Sequence, residues 1–434
     1  MNNSYMENIY NQFNRLDDSA NLWCNAFRKT AMETFSDIGL PVKRKGNEKW
    51  KYTAISSIVD KKYLLADKSN IDIDTIRNVA PYSEKWTNII FVNGYYDSRL
   101  SDLPENGMIL DIGSAMLDNS QADKLKNTIG SIIDYSDEGF AALNSSFLQD
   151  GLLIEIDDDL DAIVNVIFYN TGDSLTFNNP RLFIKAKSNS SASIIESYVG
   201  GSAHISLTNS VCEIQVGSKA NIKHFRMLSE TDNTYDVGYS RVKIDDDAIF
   251  SSTSFCKGAN IGRYDSTVVL DGVQANCNLK GLYFTSGNQH MDNYINIDHT
   301  KVNGISNLFY KGILDGKSRA VFGGTVLVRK EAQKTESIQS DKNLILSPYA
   351  EVDSKPALFI YADDVKCAHG ATAGNIDADS VFYMRSRGID AATASKLLIY
   401  GFADEIINSV NIPELREYLE ESFLKSIPDY VFEF

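Results

Sequence analysis

Two patterns of apolar positions divide the chain. In the first forty residues Trp23, Phe27, Ala31, Phe35 and Ile38 recur at spacings of three and four, the period of an amphipathic helix, and Gly39-Leu40-Pro41 supplies a stop. The next stretch, GNEKWKYTAIS, places Trp50 and Tyr52 in the alternation of a strand. Between Ile55 and Asp150 the pattern is mixed. NIIFVNGYY and MILDIG predict strands, while QADKLKNTIGSII and DEGFAALNSSFLQ predict helices. Residues 1–150 are therefore expected to form an α/β and helical N-terminal region.

From Leu152 the helical period disappears for some two hundred residues. Short runs rich in Val, Ile, Phe and Tyr alternate with Asn, Asp, Ser and Gly, and a turn-then-strand unit recurs in which Ala is followed two positions later by an apolar residue. It occurs at Ala162/Val164, Ala192/Ile194, Ala220/Ile222, Ala248/Phe250, Ala275/Cys277, Ala320/Phe322 and Ala350/Val352, in steps of 30, 28, 28, 27, 45 and 30 residues. Near-equal steps predict a solenoid, and the one long step predicts an insertion between Ala275 and Ala320. A small residue at a tight corner lets neighbouring backbones approach. A parallel β-helix over 151–362 is the expected core, with a two-sheet β-sandwich as the alternative.

Helical spacing returns after Gly374, so 363–434 reads as a C-terminal helical region. Asp377 caps DADSVFYMRSR, which stops at Gly388. Asp390 caps a second helix whose Ala391, Ala394, Leu397, Leu398, Phe402 and Ile406 form one apolar stripe, and Pro413 opens a third. That stripe must be buried on the chain's own solenoid or in a partner's groove.

A net charge of -16 removes nucleic acid and anionic membrane surfaces from the expected partners, since both demand basic patches. No run of about 18 apolar residues occurs, and the N-terminus lacks a basic stretch leading into an apolar one, so a cytoplasmic protein is expected. Five widely spaced cysteines, Cys24, Cys212, Cys256, Cys277 and Cys367, form neither a CxxC pair nor a disulfide framework.

Candidate chemistry is concentrated in ADDVKCAHGATAG, Ala362 to Gly374. Asp363 and Asp364 offer oxygen ligands or hydrogen-bond acceptors. Cys367 and His369 fall on one face of an extended backbone, and a thiolate with an imidazole suits iron or zinc. A second cluster, His290, Asp292, Asp298 and His299, could bind a divalent metal. Its histidines are an odd number of residues apart, so one continuous strand would send them to opposite faces unless a turn at Asp292-Asn293 reunites them. GILDGKS, Gly312 to Ser318, imitates a phosphate loop, but it has one residue too few between its glycines and runs into a strand pattern rather than a helix. GxSxG, HExxH and repeated CxxC are absent.

Longer strings carry a resemblance. SNLFYKGILDGKSRAVFGGTVLV, AQKTESIQSDKNLILSPYAEVDSKPALFIYADDVKCAHGATAG and VFYMRSRGIDAATASKLLIYGFADEII resemble the SufD family, subunits of the SUF iron–sulfur cluster assembly scaffold. The similarity is strong from about Lys280 to Ile407 and weaker toward the N-terminus, and CAHGATAG points to the D-type rather than the SufB-type subunit. The resemblance implies a right-handed parallel β-helix core flanked by helical N-terminal and C-terminal regions. It implies a scaffold rather than an enzyme. Such a scaffold pairs with a SufB-like paralogue through the β-helix end and with a SufC-type ABC ATPase through the C-terminal helices, and in isolation it can pair as a homodimer. His369 then maps to a cluster-assembly position at the paralogue interface, where it would act as a metal ligand, with Cys367 of the same string beside it. Ala394, Leu398, Phe402 and Ile406 map close to the ATPase contact. The cofactors implied are a transient iron–sulfur cluster shared with the partner subunit and, for the family complex, reduced flavin. Two other readings are a β-helix carbohydrate-active enzyme, which would need aligned Asp or Arg where positions 194, 222, 250 and 277 are apolar, and a structural partner without cluster ligands.

Overall fold

The computed structural model describes residues 4–16, 19–102, 109–157, 163–172, 174–200 and 204–428. Its centre is a parallel β-solenoid made of β1 (Thr87–Val92), β2 (Leu152–Ile156), β3 (Val164–Asn170), β4 (Arg181–Ala186), β5 (Ser191–Gly200), β6 (Ser206–Val216), β7 (Asn221–Ser229), β8 (Thr234–Ile244), β9 (Ile249–Lys257), β10 (Ile261–Leu270), β11 (Asn276–Thr285), β12 (His290–His299), β13 (Ile305–Leu314), β14 (Arg319–Val328), β15 (Glu336–Ile345), β16 (Glu351–Ile360) and β17 (Lys366–Gly374). Each strand pairs in parallel with the strand two positions on, so odd-numbered strands form one sheet and even-numbered strands the other. The chain winds between them, and the lumen is filled by the inward-facing side chains of both.

The winding has a local cause. Asn189, Lys219, Asp247, Gln274, Asn303 and Lys334 all have φ between 55° and 66°, each two residues before a strand of the odd sheet. A left-handed residue turns the chain sharply, and the small buried residue that follows (Ser190, Ala220, Ala248, Ala275, Gly304, Thr335) lets successive corners stack. The corners are joined directly, as in Lys219 N–H to Asp246 O at 2.8 Å and Asn303 N–H to Gln333 O at 2.9 Å.

This ladder corrects the repeat read from sequence. Ala220, Ala248 and Ala275 occupy equivalent corners, but the next corners carry Gly304 and Thr335, and Asn276, Ile305, Glu336 and Lys366 follow one another in unbroken register. No insertion lies between Ala275 and Ala320. Ala320 and Ala350 belong to strands or corners of the other sheet, Ala192 is two residues past its corner, and Ala162 lies outside the described residues.

Both flanking regions bury the outer faces of the solenoid. The N-terminal part contains α1 (Ser4–Phe13), α2 (Leu22–Ile38) and α3 (Gly139–Ser146). It packs on the even sheet, where Phe35, Trp50, Phe140 and Phe147 meet Val211, Tyr235 and Tyr239. The strand expected at Trp50 is instead a 3-10 turn, Glu48–Trp50. The reason is tertiary: Trp50 stacks on Phe140 at 5.5 Å and lies 4.1 Å from the Arg263 guanidinium, contacts that a flat strand would not satisfy together. Of the strands and helices expected between Ile55 and Asp150, strands form at Thr87–Val92 and Ile109–Asp111 and helices at Ala122–Lys126 and Gly139–Ser146.

The odd sheet is covered by α4 (Ala378–Ser386), α5 (Ala391–Ile407) and α6 (Pro413–Leu424). Asp377 and Asp390 accept hydrogen bonds from Ser380 and Thr393 N–H as N-caps, and Pro413 opens α6. Ala394, Ile399, Ala403 and Ile406 of α5, with Leu415, Leu419 and Phe423 of α6, are buried against Phe225, Phe255, Leu282 and Ile313. Each buried Ile, Leu or Phe among them contributes roughly 1.5–3 kcal/mol over its exposed state. No helix among the described residues is long and apolar enough to cross a membrane.

Candidate functional site at the open end of the solenoid

The two ends of the solenoid differ. At the first coils the N-terminal region covers the strands; at the last, β16 and β17 are edge strands with nothing stacked on them among the described residues. Among the described residues β17 pairs with β15 alone, and every β17 residue except Cys367 is exposed. Around this end Phe359 is 51% and Tyr361 65% exposed, a concentration of aromatic surface that a lone soluble end does not need. Lys366 N–H donates inward to Thr335 O. By the alternation of a parallel ladder, the N–H groups of Cys367, His369, Ala371 and Ala373 point to the free edge.

Cys367 and His369 sit on this last strand, and their side chains share the face that in earlier coils looks into the lumen. Cys367 packs on the edge of the lumen core, and partial burial pushes its thiol above the ordinary range. His369 is exposed. Beneath them in register lie Ser337 and Gln339, and two residues further along the same strand Asp341 aligns with Ala371. Gln339 is 1% exposed, yet neither its Oε1 nor its Nε2 has a hydrogen-bond partner. Asp341 accepts from Ser354 Oγ at 2.7 Å and Asn343 Nδ2 at 2.8 Å, and burial raises its carboxyl to about 6. The open mouth thus presents one thiol and one imidazole over a layer of buried amide and carboxyl groups. That is half of a metal or cluster site, since an iron or zinc centre wants about four such ligands.

Sequence reasoning found Cys367 and His369 but missed Gln339 and Asp341. Their signal was the inward parity of Ser337, Gln339, Asp341 and Asn343 in β15, legible only with the right coil register. Asp363 and Asp364 lie at the preceding corner. Asp364 O accepts from Lys334 N–H and its own N–H donates to Gln333 Oε1, so this pair shapes the turn that feeds β17.

The second polar cluster is dispersed. β12 is one continuous strand, so the odd spacing takes effect and no turn at Asp292-Asn293 reunites the histidines. His290 lies on the outer face, 2.9 Å from Thr53 Oγ1, beside Asp292, which accepts from Thr53 and Arg263; burial lowers the His290 pKa. His299 points inward to Ser306 Oγ at 2.8 Å, and burial lowers it to about 4. Asp298 pairs with Arg329 at 2.7 Å. The phosphate-loop imitation is the end of β13 and the turn into β14, with no helix after it.

The α5 stripe divides. Ala394 and Ile406 are buried in the chain's own interior, so they are not a partner surface while α5 is docked; Leu398 and Phe402 are half-buried, with Lys311 Nζ bonding Phe402 O at 2.7 Å. The apolar surface left outside is Leu397, 48% exposed, with Phe382 and Tyr383 of α4.

Comparison with known proteins decides the family. Residues 168–402 match the SufBD core domain of the SUF system for FeS cluster assembly, and residues 1–162 match the SufBD protein N-terminal region. The chain belongs to the SufBD family. It is 27% identical to the iron-sulfur cluster assembly protein SufD of Escherichia coli, over 87% of each chain. An iron-sulfur cluster assembly SufBD family protein of Synechocystis is 28% identical over 91% of this chain and 89% of its own. Protein ABCI7, chloroplastic, of Arabidopsis thaliana is 30% identical over 77% and 72% respectively. As a SufBD family protein of the SufD kind, the chain is an iron–sulfur cluster assembly protein, and the fold and recognition expected from its sequence both hold.

Proposed function

We propose that this SufD homologue is a non-catalytic scaffold subunit that joins a SufB-like paralogue at the open end of its solenoid, the two chains together building a nascent iron–sulfur cluster. The observation that carries this reading is the unpaired edge of β17 bearing Cys367 and His369. A second β-helix of the same family can continue the ladder there, pairing the free N–H groups and covering the aromatic rim, as edge strands do when they accept another chain. His369 then becomes a metal ligand shared across the seam and Cys367 a second, more recessed one. The cluster is cargo, and the partner supplies the remaining ligands.

The ATPase contact is assigned to Phe382, Tyr383 and Leu397, with the exposed edges of Leu398 and Phe402. A SufC-type ATPase docked on α4 and α5 would sit outside the odd sheet, where a nucleotide-driven change in its contacts can strain the last coils and alter the seam. In isolation the same free edge can pair two copies of this chain. The five free cysteines suit a reducing cytoplasm.

Reduced flavin has no assigned place. One cavity of about 690 Å³ is lined by Gln274, Asn303, Lys334, Glu336, Asp364 and Lys366 among others, without an aromatic face. That lining does not fit an isoalloxazine ring, and no step here runs through flavin.

The direct test is co-expression with a SufB-like chain and a SufC-type ATPase, followed by anaerobic purification. A stable complex carrying iron and sulfide is expected. A chain that stays alone would remove the reading.

A further inference from the structure

The lumen is polar over one stretch far from the open end. Where β5, β6 and β7 enclose it, a carboxylate oxygen of Glu196, the Sγ of Cys212 and a ring nitrogen of His224 all lie within 4.8 Å of one another. All three residues are buried, Glu196 and His224 on the odd sheet and Cys212 facing them from the even one. His224 Nδ1 is 3.0 Å from Ser252 Oγ, which orients the ring. Its Nε2 has no hydrogen-bond partner and faces Glu196 Oε1 at 3.5 Å.

We propose that Glu196, Cys212 and His224 form a buried site for one thiophilic divalent cation, zinc(II) or iron(II), within the β-helix lumen.

The donor set is the mixture of sulfur, imidazole nitrogen and carboxylate oxygen that borderline-soft cations select. The Ser252 contact supplies the anchor on the far ring nitrogen that metal-bound histidines require. Bond lengths of about 2.0–2.3 Å place ligand atoms about 4 Å or less apart, so small side-chain rotations close the present spacing.

Charge also balances. Arg226 borders the site: its Nε lies 3.5 Å from Glu196 Oε1, while its guanidinium bonds Asp236 at 2.9 Å and lies between the rings of Tyr198 and Tyr264, at 4.8 and 4.5 Å. With that pair neutral, a thiolate and a carboxylate neutralise one divalent ion, and the Cys212 thiol proton leaves to solvent as the metal binds. The fourth position is left to water. Because the lumen is closed here, the ion enters while the coils are still forming, so binding is coupled to folding.

The site stands apart from the seam and does not depend on the scaffold reading. Its test therefore uses the full chain alone. A Cys367→Ser chain, in which the half-exposed thiol cannot contribute, is unfolded and refolded anaerobically with cobalt(II), then treated with chelator and gel-filtered. About one cobalt per chain should remain, with a thiolate-to-cobalt charge-transfer band and a higher Tm than the chain refolded in chelator. Zinc(II) and iron(II) should be retained likewise. Adding Cys212→Ser should abolish the band, and Glu196→Gln should lower retention at least about tenfold. No cobalt retained by the Cys367→Ser chain, a result that needs no ligand variant to fold, would overturn the proposal, as would a band that survives Cys212→Ser.

Discussion

Gln339 and His369 are neighbours on the last ladder of the odd sheet, and only Gln339 is covered. The buried amide has no partner of its own, although a buried polar group left unpaired costs about 1–3 kcal/mol. A solenoid that simply ended would have no reason to carry an unsatisfied amide beneath an exposed imidazole. A solenoid that is continued by a second chain does, because groups brought in at the seam can complete both.

If β17 is a pairing edge, Ala371→Pro should separate folding from assembly. The Ala371 N–H points to the free edge, so proline there removes no bond within the chain, and edge strands tolerate it. The variant should keep the far-UV spectrum and a Tm within a few degrees of the parent, yet fail to co-purify with the paralogue. Undiminished assembly would place the interface elsewhere.

Asp341 predicts an unusual pH dependence. Its carboxyl is raised to about 6 by burial, against about 3.9 when unfolded, so the folded state holds the proton more tightly. The stability this provides is fully present below about pH 4 and is lost as pH rises through about 6. Asp341→Asn should therefore stabilise the chain at pH 8, by up to about 3 kcal/mol, and flatten the denaturation midpoint between pH 4 and 6. An unchanged slope in that window would show that Asp341 is not the titrating group.

The exposed face of α4 and α5 gives a prediction for the ATPase. Phe382→Glu together with Leu397→Glu should leave the Tm nearly unchanged, since both side chains lie outside the core. Affinity for the ATPase should fall at least about tenfold by titration calorimetry, or about 1.4 kcal/mol. Ala394→Glu, by contrast, should unfold the C-terminal helices, because Ala394 is fully buried.

Much of this was legible in the sequence, for reasons that can be located. The helix caps Asp377 and Asp390 and the opening Pro413 act locally, so they read correctly without the fold. The odd spacing of His290 and His299 sufficed to separate them once β12 proved continuous. The coil register failed because its true marker is a left-handed corner residue, filled here by Asn, Lys, Asp and Gln, of which a lysine or glutamine gives no turn signal. The alanine that follows the corner was visible in three coils and became glycine or threonine in the next two. With the register lost, Gln339 and Asp341 could not be placed beneath the mouth, nor Cys212 opposite Glu196 and His224. Trp50 was misread because its neighbours, Phe140 and Arg263, are distant in sequence.

The central claim is that His369 serves the cluster rather than the fold. The decisive measurement is iron and acid-labile sulfide in the three-subunit complex purified anaerobically with either wild-type or His369→Ala chain. The substituted chain should show the parent Tm and the parent subunit stoichiometry, with iron and sulfide falling to near the level of a complex lacking cluster. Wild-type iron and sulfide in a fully assembled His369→Ala complex would contradict the account.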